Sequence, residues 1–386
     1  MATEKLFYCS SFETEFTAEV ISCEKEKDYF AIVLDKTIFY PEGGGQPSDM
    51  GVLCFEGGSA EVFFVKEKGE TIYHHSHTEI SAGTVVQGKI DFERRFDLMQ
   101  QHTGEHILSG IIYKLYGYTN VGFHLTEKDM SIDLSGPLSQ AEIDRAVDMA
   151  NEIILKNQPV TADYPDISKL EYRSKKALQG PVRIVTAGEA DVCACCGTHL
   201  ETTGQVQMIV AKDSMNYKGG TRIFFDCGKR VFADYMKKNT DVLDISHMLS
   251  AKTDEISAKV ADKIKECENL KMQLAAAKTE LFTHWAAVVS EGEFGCLVKE
   301  NLTSGDIQRL CVELNKKCTT AVVVSPQEDG QGKICIVSSA VDTNKLGRAV
   351  CAVLGGKGGG KPGIFQGNVA SCNDCETVVR GAFDAQ

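Results

Sequence analysis

At 386 residues the chain has room for two or three domains, each with a core of its own. Its 43% hydrophobic and 25% charged content is that of a globular protein, and no apolar run approaches the roughly 18–20 residues a membrane-spanning helix needs. A formal charge of −13 argues against bulk, unspecific nucleic-acid binding but leaves room for a local basic face.

The opening MATEKLFYCSSFETEF has no basic start followed by an apolar stretch, so no secretory leader is expected. The fifteen cysteines then fit a reducing cytoplasm better than a disulfide framework. Residues 1–90 read as β-rich: EVISCEKEKDYFAIVLDKTIFY, GVLCF, AEVFFVKEKGETIYH and GTVVQGKIDF alternate apolar and polar residues between Gly, Asp and Ser. Within them TIFYPEGGGQPSDMG places Gly43, Gly44 and Gly45 after a strand, where successive backbone N–H groups can form an anion-binding concavity. A tight structural turn is the plain alternative. The period changes at FERRFDLMQQHTGEHILSGIIYKLYG, which predicts a helix. Strand patterns follow in VGFHL and MSIDL, a helix in SQAEIDRAVDMANEIILKN, and a strand in VRIVTAG. From Met208 to Asn239 seven basic residues face three acidic ones, a basic stretch in an acidic chain. Leu249, Ile256, Val260, Ile264, Cys267, Leu274 and Leu281 then predict one long helix over 241–282, a coiled-coil arm between domains. The tail alternates TTAVVVSP, KICIVSS, the helical NKLGRAVCAVL and the loop GGKGGGKPG.

Two short segments carry metal chemistry. In QHTGEH, His102 and His106 lie four apart and share one helix face, since a helix turns every 3.6 residues. In CACCGTHLETTG, Cys195 and His199 repeat that step. Together they supply three imidazoles and a thiolate, the nitrogen and sulfur set of tetrahedral Zn²⁺. Cys193 and Cys196 are rival sulfur donors, and only the spacing to His199 favours Cys195. H-x-x-E-H alone also fits an inverted zinc protease with Glu105 as base, but that reading leaves Cys195 and His199 without a job.

The loop GGKGGGKPG resists two nucleotide-binding readings. Pro362 stands where a phosphate-binding loop needs Ser or Thr, and a helix rather than a strand precedes the G-x-G-x-x-G match. A basic loop against an RNA backbone fits better. Cys372 and Cys375 have no partner pair and read as incidental.

FYPEGGGQPSDMG, QHTGEH, GFH, VRIV and CCGTHLETTG fall in the order found in the editing module of alanyl-tRNA synthetases. TRIFFDCGKR resembles the strand closing that module, and GGGKPGIFQG the glycine motif of the synthetase's C-terminal domain. Nothing resembles the aminoacylation core, so the chain is similar to a free-standing alanyl-tRNA editing protein of the long type. The resemblance implies an α+β chain: a glycine-rich, barrel-like β domain over 1–90, an α+β zinc editing domain over 91–240, a helical arm over 241–290 and a small α/β domain over 291–386. It implies hydrolysis of serine, with glycine the second candidate, from mischarged tRNA(Ala). It further implies Zn²⁺ on His102, His106, Cys195 and His199, and Thr37 as the group meeting the serine hydroxyl. Gly43, Gly44 and Gly45, whose backbone N–H groups can stabilise an oxyanion, and Gln46 are the other catalytic candidates. Arg222, Lys229, Arg230, Lys357 and Lys361 are the tRNA-binding candidates, with dimer formation through the arm and C-terminal domain. Two positions depart from the family: Cys196 stands where Gly is usual, and Glu105 where Gln is frequent. The rival readings are a deacylase of seryl-tRNA(Thr) and a non-catalytic, zinc-stabilised RNA-binding or redox-sensing protein.

Overall fold

The computed structural model describes residues 2–174 and 181–386. The chain is α+β and divides into two compact units, Met1–Leu243 and Asp244–Gln386. No helix among the described residues is long and apolar enough to cross a membrane.

Nine strands fill the first ninety residues: β1 (Glu4–Lys5), β2 (Glu15–Lys25), β3 (Phe30–Leu34), β4 (Lys36–Thr37), β5 (Gly51–Phe55), β6 (Gly58–Val62), β7 (Phe64–Lys68), β8 (Thr71–Ser76) and β9 (Val85–Ile90). Seven form one antiparallel sheet in the order β6-β5-β9-β2-β3-β8-β7, and β1 pairs with β4 in parallel. Strand β2 is the spine: Glu15–Glu19 pair with β9 and Val20–Lys25 with β3, with a register shift between Val20 and Ser22. Such an irregularity bends a strand and strengthens its twist, so the sheet curls into a half-barrel. Phe16, Ala18 and Val20 face the enclosed core on the two-residue period seen in the sequence.

Helix α1 (Phe92–Tyr116) follows, capped by the Asp91 side chain, which accepts from Arg94 N, and ended by Gly117 in the left-handed region. Every residue from Leu98 to Ile112 is buried. This explains its mixed sequence: a helix enclosed on all sides has no solvent face to mark with charge. Strands β10 (Asn120–Leu125), β11 (Met130–Leu134), β15 (Ile209–Tyr217) and β16 (Gly220–Cys227) form a sheet in the order β10-β11-β16-β15. A second sheet joins β12 (Val160–Asp163), β13 (Ile184–Ala187) and β14 (Asp191–Ala194), and helix α2 (Gln140–Lys156) completes the packing around α1. Arg95 ties α1 to the first sheet. Its guanidinium is fully buried, forms a salt bridge with the equally buried Asp49, and donates to Ser11 O at 2.9 Å and Ile38 O at 2.7 Å.

The helix predicted over 241–282 is two helices, α3 (Lys229–Leu249) and α4 (Ile256–Ala287). Ser250 adopts φ 48°, its N–H donates to His247 O, and Ala251 N–H donates to Ser246 O. This is the Schellman ending, usually made with glycine; the serine concealed it. The second unit carries β17 (Gly292–Val298), β18 (Cys318–Pro326), β19 (Gly332–Ser338), β20 (Lys357–Gly359) and β21 (Ile364–Val369) in the order β17-β18-β19-β21-β20. Helix α5 (Ser304–Asn315) and the end of α4 cover Ala321 and Val323 on one face. Helices α6 (Thr343–Leu354) and α7 (Cys375–Asp384) cover Val322 and Val324 on the other.

One buried histidine in the half-barrel gives a pH signature. Burial pushes His74 down to about 4 against its ordinary 6.5. The unfolded chain therefore takes up a proton below pH 6.5 that the folded chain refuses until about pH 4. The stabilisation is complete above 6.5 and is lost as pH falls through that window, in total about 3 kcal/mol. In urea unfolding, His74→Gln is expected to lose about that much less stability than wild type between pH 6.5 and 4. Parallel pH profiles would contradict the assignment.

Candidate metal centre

The four-residue step on α1 sets His102 and His106 side by side with ring centroids 5.3 Å apart. The segment after β14 brings His199 to 4.5 Å from the His102 ring and 4.8 Å from that of His106. Cys195 Sγ lies 3.4 Å from His102 Nε2, and one donor atom from each of the four residues falls within 4.8 Å of the others. Zn–N bonds of about 2.0–2.1 Å and a Zn–S bond of about 2.3 Å at a tetrahedral angle put N and S about 3.5 Å apart. The observed edge is what a shared ion requires.

Each imidazole is held from outside by its other nitrogen. His102 Nδ1 donates to Gln46 Oε1 at 2.8 Å, and His106 Nδ1 to Asp191 Oδ2 at 2.8 Å. His199 Nδ1 lies 3.5 Å from Thr103 Oγ1. Asp191 is itself clamped by Arg173, whose Nε and Nη2 each donate to it at 2.7 Å. Burial opposes the charge on Asp191, but His106 and Arg173 hold its carboxyl below the usual range. Outer partners of this kind orient metal-binding imidazoles. The inward nitrogen of His199, Nε2, is buried with no hydrogen-bond partner among the described residues. Nature seldom leaves such an atom unpaired, and a cation at the centre satisfies it. The residues fit Zn²⁺.

Of the three clustered cysteines, Cys195 faces the imidazoles. Burial opposes its ionisation, and His102 and His199 outweigh that, holding the thiol well below its ordinary range. Burial pushes Cys193 up to about 11 and keeps it a thiol; it sits with His106 and Asp191 behind the ring. Cys196 is exposed. A cavity of about 350 Å³ opens on the cluster, lined by Gly44, His102, Glu105, His106, Arg173, Arg183 and Cys195 among others. Arg183 donates to Cys195 O and Gly197 O, both at 3.0 Å, and so braces the ligand loop. Glu105 accepts from Ser109 Oγ at 2.7 Å and from Asn120 Nδ2.

Three family models match in chain order: tRNA synthetases class II (A) over residues 3–94, the threonyl and alanyl tRNA synthetase second additional domain over 182–224, and the DHHA1 domain over 287–383. An alanyl-tRNA editing protein of Xenopus laevis, Aarsd1-B, is 30% identical over 94% of this chain and 93% of its own length. The chain belongs to the alanyl-tRNA editing protein family. A second editing protein, AlaX-L of Pyrococcus horikoshii, is 29% identical over 95% and 94% of the two chains. An alanine–tRNA ligase of Ignicoccus hospitalis is 31% identical over 98% of this chain but only 42% of the ligase.

The other residues singled out in the sequence lie as follows. Gly44 lines the cavity of this editing-family chain, with φ 62°, and Gly45 follows at φ 85°. Gly43 N–H is committed to Gln46 O at 3.1 Å, so only the next two N–H groups lie at the tip of the turn. Gln46 bridges His102 and Thr198. Thr37 is fully buried in the half-barrel and is absent from the cavity lining. His74 Nδ1 lies 3.1 Å from Ile32 O, an acceptor only, so Nδ1 carries the proton and Nε2 accepts from Thr37 Oγ1 at 2.9 Å. Phe39 N donates to the same oxygen at 3.0 Å. Arg222 pairs with Asp133, Lys229 with Glu93 and Arg230 with Asp97, so carboxylates share all three charges. Lys357 and Lys361 are exposed in the second unit.

Asp191, Arg173, Arg183 and Thr103 escaped the sequence reading. Arg183, inside VRIV, and Thr103, inside QHTGEH, lay in quoted motifs, which did not mark them as supports of the site. Asp191→Ala is expected to weaken zinc binding about 10–100-fold in competition with a chromophoric chelator. Unchanged affinity would remove Asp191 from the metal's support.

Proposed function

We propose that this chain hydrolyses the ester of mischarged tRNA(Ala), releasing serine, with glycine as a second substrate, at a Zn²⁺ centre of His102, His106, Cys195 and His199. The observation that carries the proposal is the convergence of these four side chains on one buried point beside a cavity of about 350 Å³, in a chain of the editing family. A cavity of that size suits an aminoacyl group with part of its ribose.

An aminoacyl ester is already activated, so the protein need only place a water, exclude the rest and stabilise the oxyanion. Water adds to the acyl carbon, the ester C–O bond breaks, and the ribose oxygen leaves with a proton as a hydroxyl. Gly44 and Gly45 N–H groups are the proposed donors to the developing oxyanion. Four protein ligands make a closed set, so bound zinc would supply a fixed positive charge that orients the substrate. Arg183 holds the ligand loop still through Cys195 O and Gly197 O.

Thr37, buried behind the cavity lining rather than in it, is proposed to select serine once the acyl group reaches past Gly44 into the half-barrel. Its single proton is spent on His74 and one lone pair on Phe39 N, leaving acceptor capacity alone. A serine hydroxyl donates and an alanine methyl does not. Lys357 and Lys361, with Arg222, Lys229 and Arg230, are proposed to meet the tRNA backbone, in the cytoplasm. Exposed Val260, Ile264, Leu274 and Leu281 on α4 are proposed to serve a homodimer.

The deciding assay follows release of amino acid from seryl-, glycyl- and alanyl-tRNA(Ala) and from seryl-tRNA(Thr), with and without a zinc chelator. Chelator-sensitive release from seryl-tRNA(Ala), with alanyl-tRNA(Ala) spared, is expected. Release from seryl-tRNA(Thr) alone, or none at all, overturns the reading. Thr37→Val is expected to lower the seryl-to-alanyl cleavage ratio about tenfold at constant zinc content, the worth of one hydrogen bond. An unchanged ratio would leave Thr37 a purely structural residue.

A further inference from the structure

Among the three outer partners of the imidazoles, Gln46 alone comes from the N-terminal glycine turn. Its amide has one consistent orientation. Thr198 N–H can only donate, and it lies 3.2 Å from Gln46 Oε1, which is therefore the carbonyl oxygen. Gln46 Nε2 then donates to Thr198 Oγ1 at 2.7 Å. An oxygen that accepts from Thr198 can only accept from His102 as well, so Nδ1 of His102 carries the proton. In the neutral ring Nε2 is then the lone-pair nitrogen, and it is aimed at the space beside Cys195 Sγ. The glutamine thereby sets both tautomer and direction of one ligand.

The backbone of the same residue closes the turn. Gly43 N–H donates to Gln46 O at 3.1 Å and Gln46 N–H to Gly43 O at 3.0 Å, with Gly44 and Gly45 between them. Gly44 lines the cavity. Neighbours leave Gln46 little freedom: a Cβ at Gly197 would sit 2.2 Å from His102 Cε1 and 3.0 Å from Gln46 Oε1. One buried residue thus closes the turn whose Gly44 lines the cavity and, through its side chain, orients His102.

We infer that Gln46 is a positioning residue that couples occupation of the glycine turn to the metal, so that a ligand seated against Gly44 alters the field at His102. The inference rests on the metal reading above. Its consequence is selectivity: an acyl group that fails to seat on the turn leaves the ligand set in its resting arrangement.

The test replaces zinc by Co²⁺ in the full chain and follows the visible d–d bands while adding seryl-adenosine with an amide in place of the ester. Ligand binding is measured separately by calorimetry. In wild type the bands are expected to shift on binding. In Gln46→Leu, metal affinity is expected to fall about 10–100-fold, and the bands of the Co²⁺-loaded variant to stay fixed while the amide still binds. Gln46→Glu retains an acceptor for His102 and is expected to restore the shift, also serving should the leucine variant fail to fold. A shift in Gln46→Leu equal to that of wild type overturns the coupling. No Co²⁺ or Zn²⁺ uptake by wild type instead overturns the metal reading itself.

Discussion

Three buried imidazoles and the half-buried Cys195 converge on one point, where a metal ion would receive the lone pairs they aim inward. A protein interior does not leave such atoms unpaired at small cost; each one stranded away from water costs on the order of 1–3 kcal/mol. That demand organises the first unit. The outward nitrogens face Gln46, Asp191 and Thr103; of the inward ones, His102 Nε2 meets Cys195 Sγ at 3.4 Å and His199 Nε2 has no partner among the described residues. The fold gathers four side chains that could together hold a metal ion, with the nitrogen and sulfur donors that zinc takes.

Holding that cluster in place falls to α1. The helix is enclosed from Leu98 to Ile112, and its place against the half-barrel is fixed by Arg95, a fully buried cation. Asp49 neutralises it, and the same carboxylate accepts from Tyr40 N at 2.6 Å. Removing one member of a buried pair strands the other, so Asp49 locks together the helix that bears two ligands and the loop that bears the glycines. From Asp49 to Gln46 is three residues, and from Gln46 to His102 is one hydrogen bond. Scaffold, cavity wall and ligand set are thus connected by a short chain of polar contacts.

Much of what is periodic or local along the chain is legible in the sequence. The two-residue alternation of the N-terminal strands, the 3.6-residue turn linking His102 to His106, and the matching step from Cys195 to His199 are all properties of neighbours along the chain. What is not legible there depends on convergence. Asp191 reaches His106 across 85 positions, and Arg173 carries no pattern that marks it as the clamp on Asp191. The long helix was misread because apolar spacing continues through Ser250, while the left-handed backbone that ends α3 rests on a serine where glycine is the usual sign. Thr37 shows a different limit: the motif marks the position, yet its hydroxyl is already engaged by His74 and Phe39, which no spacing reveals.

The most direct measurement of the central claim is X-ray absorption at the zinc edge on the metal-loaded protein, which counts donor types and distances around the ion. Three nitrogens at about 2.0–2.1 Å and one sulfur at about 2.3 Å are the expected shell, with the sulfur lost in Cys195→Ala. Two sulfurs, or one that persists in that variant, would show that Cys193 or Cys196 holds the metal and that the arrangement described for His102, His106, Cys195 and His199 is wrong.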